Sequence, residues 1–590
     1  MTSTGKMTLT GIITMQRLLS VAAPAALLLG AMAAPAEAAR LKALGTFETG
    51  LFDEGAAEIA AYDGSSRLFV TNANANSIDI LDIVDPTNPA KVNTIDLSSF
   101  GGGVNSVAFN SLNGFNYIAA AVEASNPQEN GSVVFFDTNG SLLNTLTVGA
   151  LPDMLTFTPD GKTLLVANEG EPSDDYTVDP EGSVSIINVS GDILGLTDGN
   201  VKTANFNAFD SQKDDLMAQG VRIFGPGASV SQDLEPEFIA VSGDSTKAYV
   251  SLQENNALGI LDLTSGEFTD IVSLGFKDHS LPGNALDASD EDGINIQNLP
   301  VLGMRQPDAI ATYEAGGQTF VVTANEGDAR DYDAFSEETD LEDLLEDGLL
   351  DLNNDGIADT ETTVVDPSTG ETVADLLAAD KLGEIDFTNA TGDMDGDGLI
   401  EELHVFGGRS FSIFDEEGNL VFDSGDQFEQ IIADLIAQGV LPQEAFNTDN
   451  DENDFDSRSD AKGPEPEGIT VGEINGRTFA FIGLERIGGV MMYDITNPES
   501  PTFLTYVNDR DFLTDFDETN FQEVGDLGPE GLVFISSANS PTGEDLLAVT
   551  NEVSGTTTLY SVEVPEPASM AGLLAVGSLG LMGLKRRRQA

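Results

Sequence analysis

Apolar and polar residues alternate along most of this chain in short runs, and the runs recur in a fixed order. A run opens on Pro-Asp or Pro-Glu, alternates, turns tightly, and is followed by a second, more continuously apolar run. The order is clearest from Pro152 to Gly170 (PDMLTFTPDGKTLLVANEG), and again from Pro236, Pro307, Pro466 and Pro529. Weaker copies begin at Ala57-Glu58 and at Gly103-Val104-Asn105, which brings the number to seven. Period-two alternation rich in β-branched and aromatic residues predicts strands. The Asp-Gly, Asn-Gly and Gly-Gly pairs between runs predict hairpins, because glycine accepts positive φ.

A third apolar run follows each pair, and in the fifth copy it is delayed to RSFSIFD at Arg409. Connectors such as Lys91–Leu97 and Thr505–Val507 supply a fourth strand. A unit of this size cannot bury its own apolar faces, so the copies must stack. The reading is an all-β, seven-bladed β-propeller over residues 39–563, with an open solenoid as the alternative. Closure removes the exposed sheet edges that a solenoid would keep. Leu41–Phe47 is left over to complete the last blade.

The copies are interrupted by acidic, partly helical insertions at about 170–182, 190–234, 264–306, 327–408 and 416–464. Helical spacing is expected within Asp210–Phe224, Glu337–Leu350 and Asp426–Leu441. In an up-and-down blade the first strand starts, and the second ends, at one edge. The Pro-Asp and Pro-Glu starts and the acidic second-strand ends (Glu123, Glu169, Glu254, Glu326, Glu485, Glu552) are therefore expected around one mouth. The long insertions emerge there too, which marks that face as the working one. The plainer reading is that acidic loops only solubilise.

Charge sharpens this picture. Lys and Arg total 25 against 100 Asp and Glu, a formal net charge of -75. Nucleic acid is a poor partner for such a chain, since its binding depends on basic residues neutralising phosphates. The acids repel one another when compact, and salt or bound cations must relieve that repulsion. Cysteine is absent, which excludes disulfides, thiolate metal sites and cysteine nucleophiles. The two histidines, His279 and His404, lie in insertions, and no nucleophile elbow, His-Glu-x-x-His motif or phosphate-binding glycine loop accompanies them. Metal-assisted hydrolysis stays chemically open.

Two loops carry hard oxygen ligands at alternating positions around a turn glycine. They are Asp351, Asn353, Asp355 and Asp359 with Gly356, and Asp393, Asp395, Asp397 and Glu401 with Gly398. That spacing suits calcium. Neither loop has the twelfth-position acid of an EF-hand, where Thr362 and His404 stand, so a ligand is missing or comes from elsewhere. The alternative is a pair of solvated Asp-Gly turns. Further metal ligands are expected at the mouth: Glu169, Glu237, Asp308, Glu326, Asp328, Glu467 and Glu530. The stretch Asn450–Asp460 is a third acidic supply. Arg305, Arg330, Arg409, Arg458 and Arg486 fall among these acids. They read first as structural carboxylate partners and second as an anion site. In the second case Arg330, Arg409 and Arg458 are the catalytic candidates.

The two ends carry an address. Arg17, the apolar run Leu18–Ala34 and Ala36-Glu37-Ala38 have the form of a signal peptide over 1–38, with Met1, Met7 or Met15 as the start. Val564-Pro565-Glu566-Pro567 precedes the apolar run Met570–Leu584 and the basic cluster Lys585–Arg588. The apolar run is shorter than the ~20 residues of a comfortable spanning helix. This tail over 564–590 resembles the PEP-CTERM sorting signal through Pro565, Glu566 and Pro567. The resemblance implies transient inner-membrane association, removal of the tail by an exosortase, and delivery to the cell surface or exopolysaccharide matrix. A retained C-terminal transmembrane anchor is the alternative. Either way the domain is expected beyond the inner membrane, at the surface, in the matrix or in the periplasm.

Several phrases resemble the choice-of-anchor I family of exported propellers: Asp233–Phe238, Thr323–Tyr332, Gly392–Asp397, Gly408–Ile413, Phe455–Asp460, Gly463–Gly468 and Asn551–Thr556. Leu68–Asn72 is similar to the YVTN class of repeats. The resemblance implies secretion and a propeller but supplies no reaction. The function expected is a calcium-binding interaction module that meets exopolysaccharide or an envelope component. The alternative is a calcium-dependent phosphatase or phosphodiesterase, acting at the acidic mouth on a phosphorylated small molecule.

Overall fold

In the computed structural model, residues 39–53 and 55–565 are described. The signal peptide over 1–38, Glu566 and Pro567 of the sorting motif, and the apolar tail all lie outside the described residues. Among the described residues no helix is long and apolar enough to cross a membrane.

The described chain contains seven four-stranded antiparallel sheets, together with a five-stranded mixed sheet and a two-stranded ribbon. The seven first strands are Ala60–Tyr62, Val104–Leu112, Pro152–Phe157, Ile239–Val241, Ile310–Ala315, Pro466–Ile474 and Pro529–Ile535. We number the blades by these strands. Each first strand packs on the first strand of the next blade, and that of the seventh packs on that of the first. The ring is closed, and the fold is a β-propeller. A cavity of about 260 Å³ runs along its axis and is lined by Tyr62, Phe109, Met154, Phe238, Ala309, Ile469 and Leu532.

The second strands show why closure is stable. In Thr163–Asn168 the alternation sends Leu164 and Val166 into one inter-blade core and Leu165 and Ala167 into the other. A strand buried on both faces reads as a continuous apolar run, which is how these segments look in the sequence. Each fully buried Leu or Val contributes roughly 1.5–3 kcal/mol. The seventh blade is completed by Arg40–Glu48, which pairs antiparallel with Thr556–Glu563, so the strand left over at the N-terminus fills the last sheet. In the fifth blade Ser410–Asp415 pairs with Gln318–Asn325 across the long insertion.

That insertion and residues 276–304 build their own core from Leu286, Leu341, Leu344, Leu376, Phe387 and Val405. The helical expectations hold unevenly. Gln427–Ala437 is the longest helix described, and Gly439 follows at φ 71. Within 337–350 only Leu341–Glu346 is helical, and Glu338–Thr339 is a strand of the mixed sheet. Within 210–224 only Lys213–Met217 is α-helical. Gly220 at φ 92 ends the turn, and Arg222 then donates its N–H to Asn255 at 3.0 Å.

Candidate metal centre

Register builds the mouth. Pro152 faces Asn168, Pro466 faces Leu484, and Pro529 faces Asn551, so each first-strand acid stands beside the acid that ends the second strand. Backbone bonds hold the two together. The Glu169 N–H donates to Leu151 at 3.0 Å, and that of Glu552 to Gly528 at 2.8 Å. The starting acids are Glu58, Asp153, Glu237, Asp308, Glu467 and Glu530, with Asn105 in the second blade.

Three groups bring ligand oxygens within 4.8 Å of one another: Asp153–Glu169–Glu237, Asp308–Glu326–Glu467 and Glu326–Glu465–Glu485. Burial, followed by the neighbouring carboxylates, pushes these acids up. Glu58 rises to about 8 and Asp153 to about 7. Glu169, Glu237, Asp308, Glu467, Glu485 and Glu530 rise well above the ordinary carboxylate range for the same reasons. Asp328 is raised by burial to about 6, with Lys462 opposing. Glu465 goes the other way. Burial works against its charge, but Lys462, Arg458 and Arg486 overcome burial and hold it at about 2.

The arginines are occupied. Arg330 donates to Asp233 Oδ1 at 2.6 Å and to the Asp233 carbonyl at 2.7 Å, and pairs with Glu235 at 3.0 Å. Arg409 holds Glu429 at 2.9 Å and donates to the carbonyls of Asp287, Ser459 and Ala461. Arg305 pairs with Asp423 at 3.1 Å. Arg458 pairs with Glu465 at 2.8 Å, and Arg486 pairs with Glu465 and Glu485 at 3.2 Å each. Arg330 and Arg409 are buried and hold internal acceptors, with the Arg330 Nε left without a hydrogen-bond partner. The acidic stretch 450–460 sends Asn450 to Glu485 at 3.0 Å, while Asp456 is fully buried and accepts from Ser459.

The sequence reading missed Lys462. Its ammonium lies 3.3 Å from Glu326, 3.2 Å from Glu465 and 3.9 Å from Asp328, and it donates to the Gly327 carbonyl at 2.7 Å. The ligand set expected from the sequence also lacks Glu58, Asp153, Glu465 and Glu485, although the repeat carries them.

The two insertion loops lie elsewhere and touch each other. Asp351 donates its N–H to the Ile400 carbonyl at 2.9 Å, and Asp397 Oδ2 is 3.7 Å from where a Gly356 Cβ would stand. In the second loop Asp393, Asp395, Asp397 and Glu401 gather within 4.8 Å. In the first, Asp351 turns onto the N–H groups of Asp355 and Gly356, Asp355 onto that of Ile357, and Asp359 onto Leu352 and Asn353. Both histidines are buried among insertions. His279 Nδ1 is 2.7 Å from the Asn284 carbonyl, and His404 Nδ1 is 2.9 Å from Thr391 Oγ1. Oxygen-only groups of this kind suit calcium or magnesium better than softer metals.

A family model described as the choice-of-anchor I domain matches residues 58–498. The mesenchyme-specific cell surface glycoprotein of Strongylocentrotus purpuratus is 31% identical over 319 residues, which is 50% of this chain and 40% of that protein. Gigasin-3a of Magallana gigas is 29% identical over 185 residues, 31% of this chain and 64% of that protein. The chain therefore spans less than two thirds of either relative. Among solved structures, hydrazine synthase of Kuenenia stuttgartiensis aligns with a TM-score of 0.43 at 12% identity, covering 88% of this chain and 98% of that one.

Proposed function

The chain belongs to the choice-of-anchor I family, and from that premise we propose that it is an exported binding module. It is delivered to the cell surface or surrounding matrix, holds calcium, and meets its ligand at the acid-rimmed mouth of the propeller. The surface address is supported by the relative named as a cell surface glycoprotein. The observation that carries the binding reading is the mouth itself, where acids of neighbouring blades gather in three groups with ligand oxygens within 4.8 Å. A divalent cation there turns a repelling face into one that bridges to carboxylate or sulfate groups of an anionic exopolysaccharide. The second insertion loop, Asp393–Glu401, is the proposed calcium loop outside the mouth. Pro565-Glu566-Pro567 is the proposed exosortase recognition motif.

The test is retention of the full chain on an immobilised uronic-acid polysaccharide, with calcium and with chelator. Retention is expected with calcium, with loss in chelator and in Glu237→Gln. Retention indifferent to both would sink the reading. The phosphoester-hydrolase alternative shares the metal-holding acids, and it would need Arg330, Arg409 or Arg458 to leave the carboxylates they now hold. Chelator-sensitive turnover of a chromogenic phosphomonoester or phosphodiester would favour it.

A further inference from the structure

We infer that the axial cavity is a binding site for a small organic cation, a primary ammonium with a short apolar tail, which puts the tail in the cavity and the ammonium on Glu530. This site goes beyond the calcium reading above and does not depend on it.

Register puts the cavity directly beneath the ring of mouth acids. Its lining takes the residue that follows the acid in five blades: Ile59 after Glu58, Met154 after Asp153, Phe238 after Glu237, Ala309 after Asp308 and Gly531 after Glu530. The wall is mostly apolar, and two of its few hydroxyls are already engaged. The Tyr62 hydroxyl donates to the Asn539 carbonyl at 2.7 Å, and Ser106 Oγ accepts the Leu155 N–H at 3.3 Å. Glu530 is the one charged residue of the lining, and no lysine, arginine or histidine joins it there.

Glu530 also stands apart from most of the other first-strand acids. Asp153, Glu237, Asp308 and Glu467 each belong to a close carboxylate group, and Glu530 belongs to none. Its Oε2 is buried without a hydrogen-bond partner. Glu467 Oε2 is unpartnered too, but Glu467 sits in a carboxylate group and does not line the cavity. The charges that bear most on Glu530 are those of Glu58, Glu552, Asp308 and Asp153, all of them acidic.

Each half of the site selects one half of the ligand. A buried carboxylate among like charges favours a cation and repels an anion. An apolar wall favours a hydrocarbon. A bare metal ion leaves the wall unused, and a neutral hydrocarbon leaves the carboxylate unpaired, which is costly. A tailed ammonium satisfies both. The size is bounded as well. An apolar cavity of roughly 150 Å³ holds benzene, and drug-sized ligands fill roughly 300–1,000 Å³. The axial cavity of about 260 Å³ lies between them and suits a tail of a few carbons more than a drug-sized body.

The chain has no tryptophan, so Phe109→Trp in the cavity wall supplies a single emission reporter. The full chain carrying it is titrated with n-hexylammonium, n-hexanol, hexanoate and methylammonium, in calcium and in chelator. Hexylammonium is expected to give a saturable shift in both conditions, with the other three at least about tenfold weaker, since a hydrogen bond to a charged partner is at stake in the comparison with hexanol. Glu530→Gln should bring hexylammonium down to the level of hexanol. Glu467→Gln should leave it within about threefold, because that acid acts only through the shared field. Equal binding of hexanol and hexylammonium, or unchanged binding in folded Glu530→Gln, overturns the site. So does loss of hexylammonium binding in calcium, which would assign Glu530 to the metal. If Phe109→Trp fills the cavity or does not fold, the same titrations are read by calorimetry on the unsubstituted chain, where absence of heat with hexylammonium overturns the proposal.

Discussion

The aspartates of the outer turns and the acids of the mouth belong to the same residue classes under opposite conditions. Asp63 accepts from the N–H groups of Ser65, Ser66 and Arg67 and from the Arg67 guanidinium at 2.9 Å. Burial opposes its charge, but these donors outweigh burial and hold it below the ordinary range. Asp160 is lowered chiefly by Lys162, and Asp244 by Thr246. Asp153, Glu169, Glu237, Asp308, Glu467 and Glu530 have burial without side-chain donors, and they rise, whereas Glu465, held by Lys462, Arg458 and Arg486, falls. A net charge of -75 therefore describes two populations, one neutralised locally by turn chemistry and one left for something external to neutralise.

The sharpest break of this comparison is pH. In the mouth the folded state keeps protons that the unfolded state releases. Its stability contribution is complete below the ordinary carboxylate pKa and is lost as pH rises through the values of about 7 for Asp153 and about 8 for Glu58. In chelator the melting temperature is expected to climb as pH falls from about 8 to about 6, with an effect on the order of several kcal/mol because one shifted unit is about 1.4 kcal/mol and several acids take part. Saturating calcium should flatten that slope. A flat profile in chelator would mean that the mouth acids are not strained. The turn aspartates run oppositely, and their share is lost as pH falls below the ordinary range.

Lys462→Met comes next. Removing one member of a buried ion network costs roughly 3–5 kcal/mol, and denaturant unfolding in chelator should show a loss of that size, recovered in part by calcium. Asp63→Ala is smaller, about 1–3 kcal/mol, because donors of the turn lose their acceptor. Its loss should not respond to calcium, which separates the two populations in one measurement. Asp393→Asn is smallest. Its carboxylate is exposed, and stability in chelator is expected to stay within about 0.5 kcal/mol of wild type, while any calcium-dependent gain assigned to the loop disappears.

Most of the fold was legible because period-two runs, turn glycines and a repeated opening dipeptide agree at every copy. The gathering of mouth acids was legible for the same reason, since register follows from the repeat. Lys462 was not, because its role depends on where a long insertion ends in space. The fate of Arg330 and Arg409 was equally hidden. Their partners Asp233 and Glu429 lie 97 and 20 residues away, inside other insertions. The helix expected through Phe224 failed because Arg222 and Phe224 are drawn out straight, the former to Asn255 and the latter to Asp233 at 2.9 Å.

The pairing of Arg40–Glu48 with Thr556–Glu563 has one last consequence. Residues 40–48 must wait for residues 556–563, so this sheet forms only once the chain has been made as far as Glu563. Until then the first and seventh blades are not locked together, and Glu58 and Glu530 are not forced into each other's company. Ring completion and electrostatic crowding thus arrive in the same step, and a cation present at that moment acts on assembly as well as on the finished molecule.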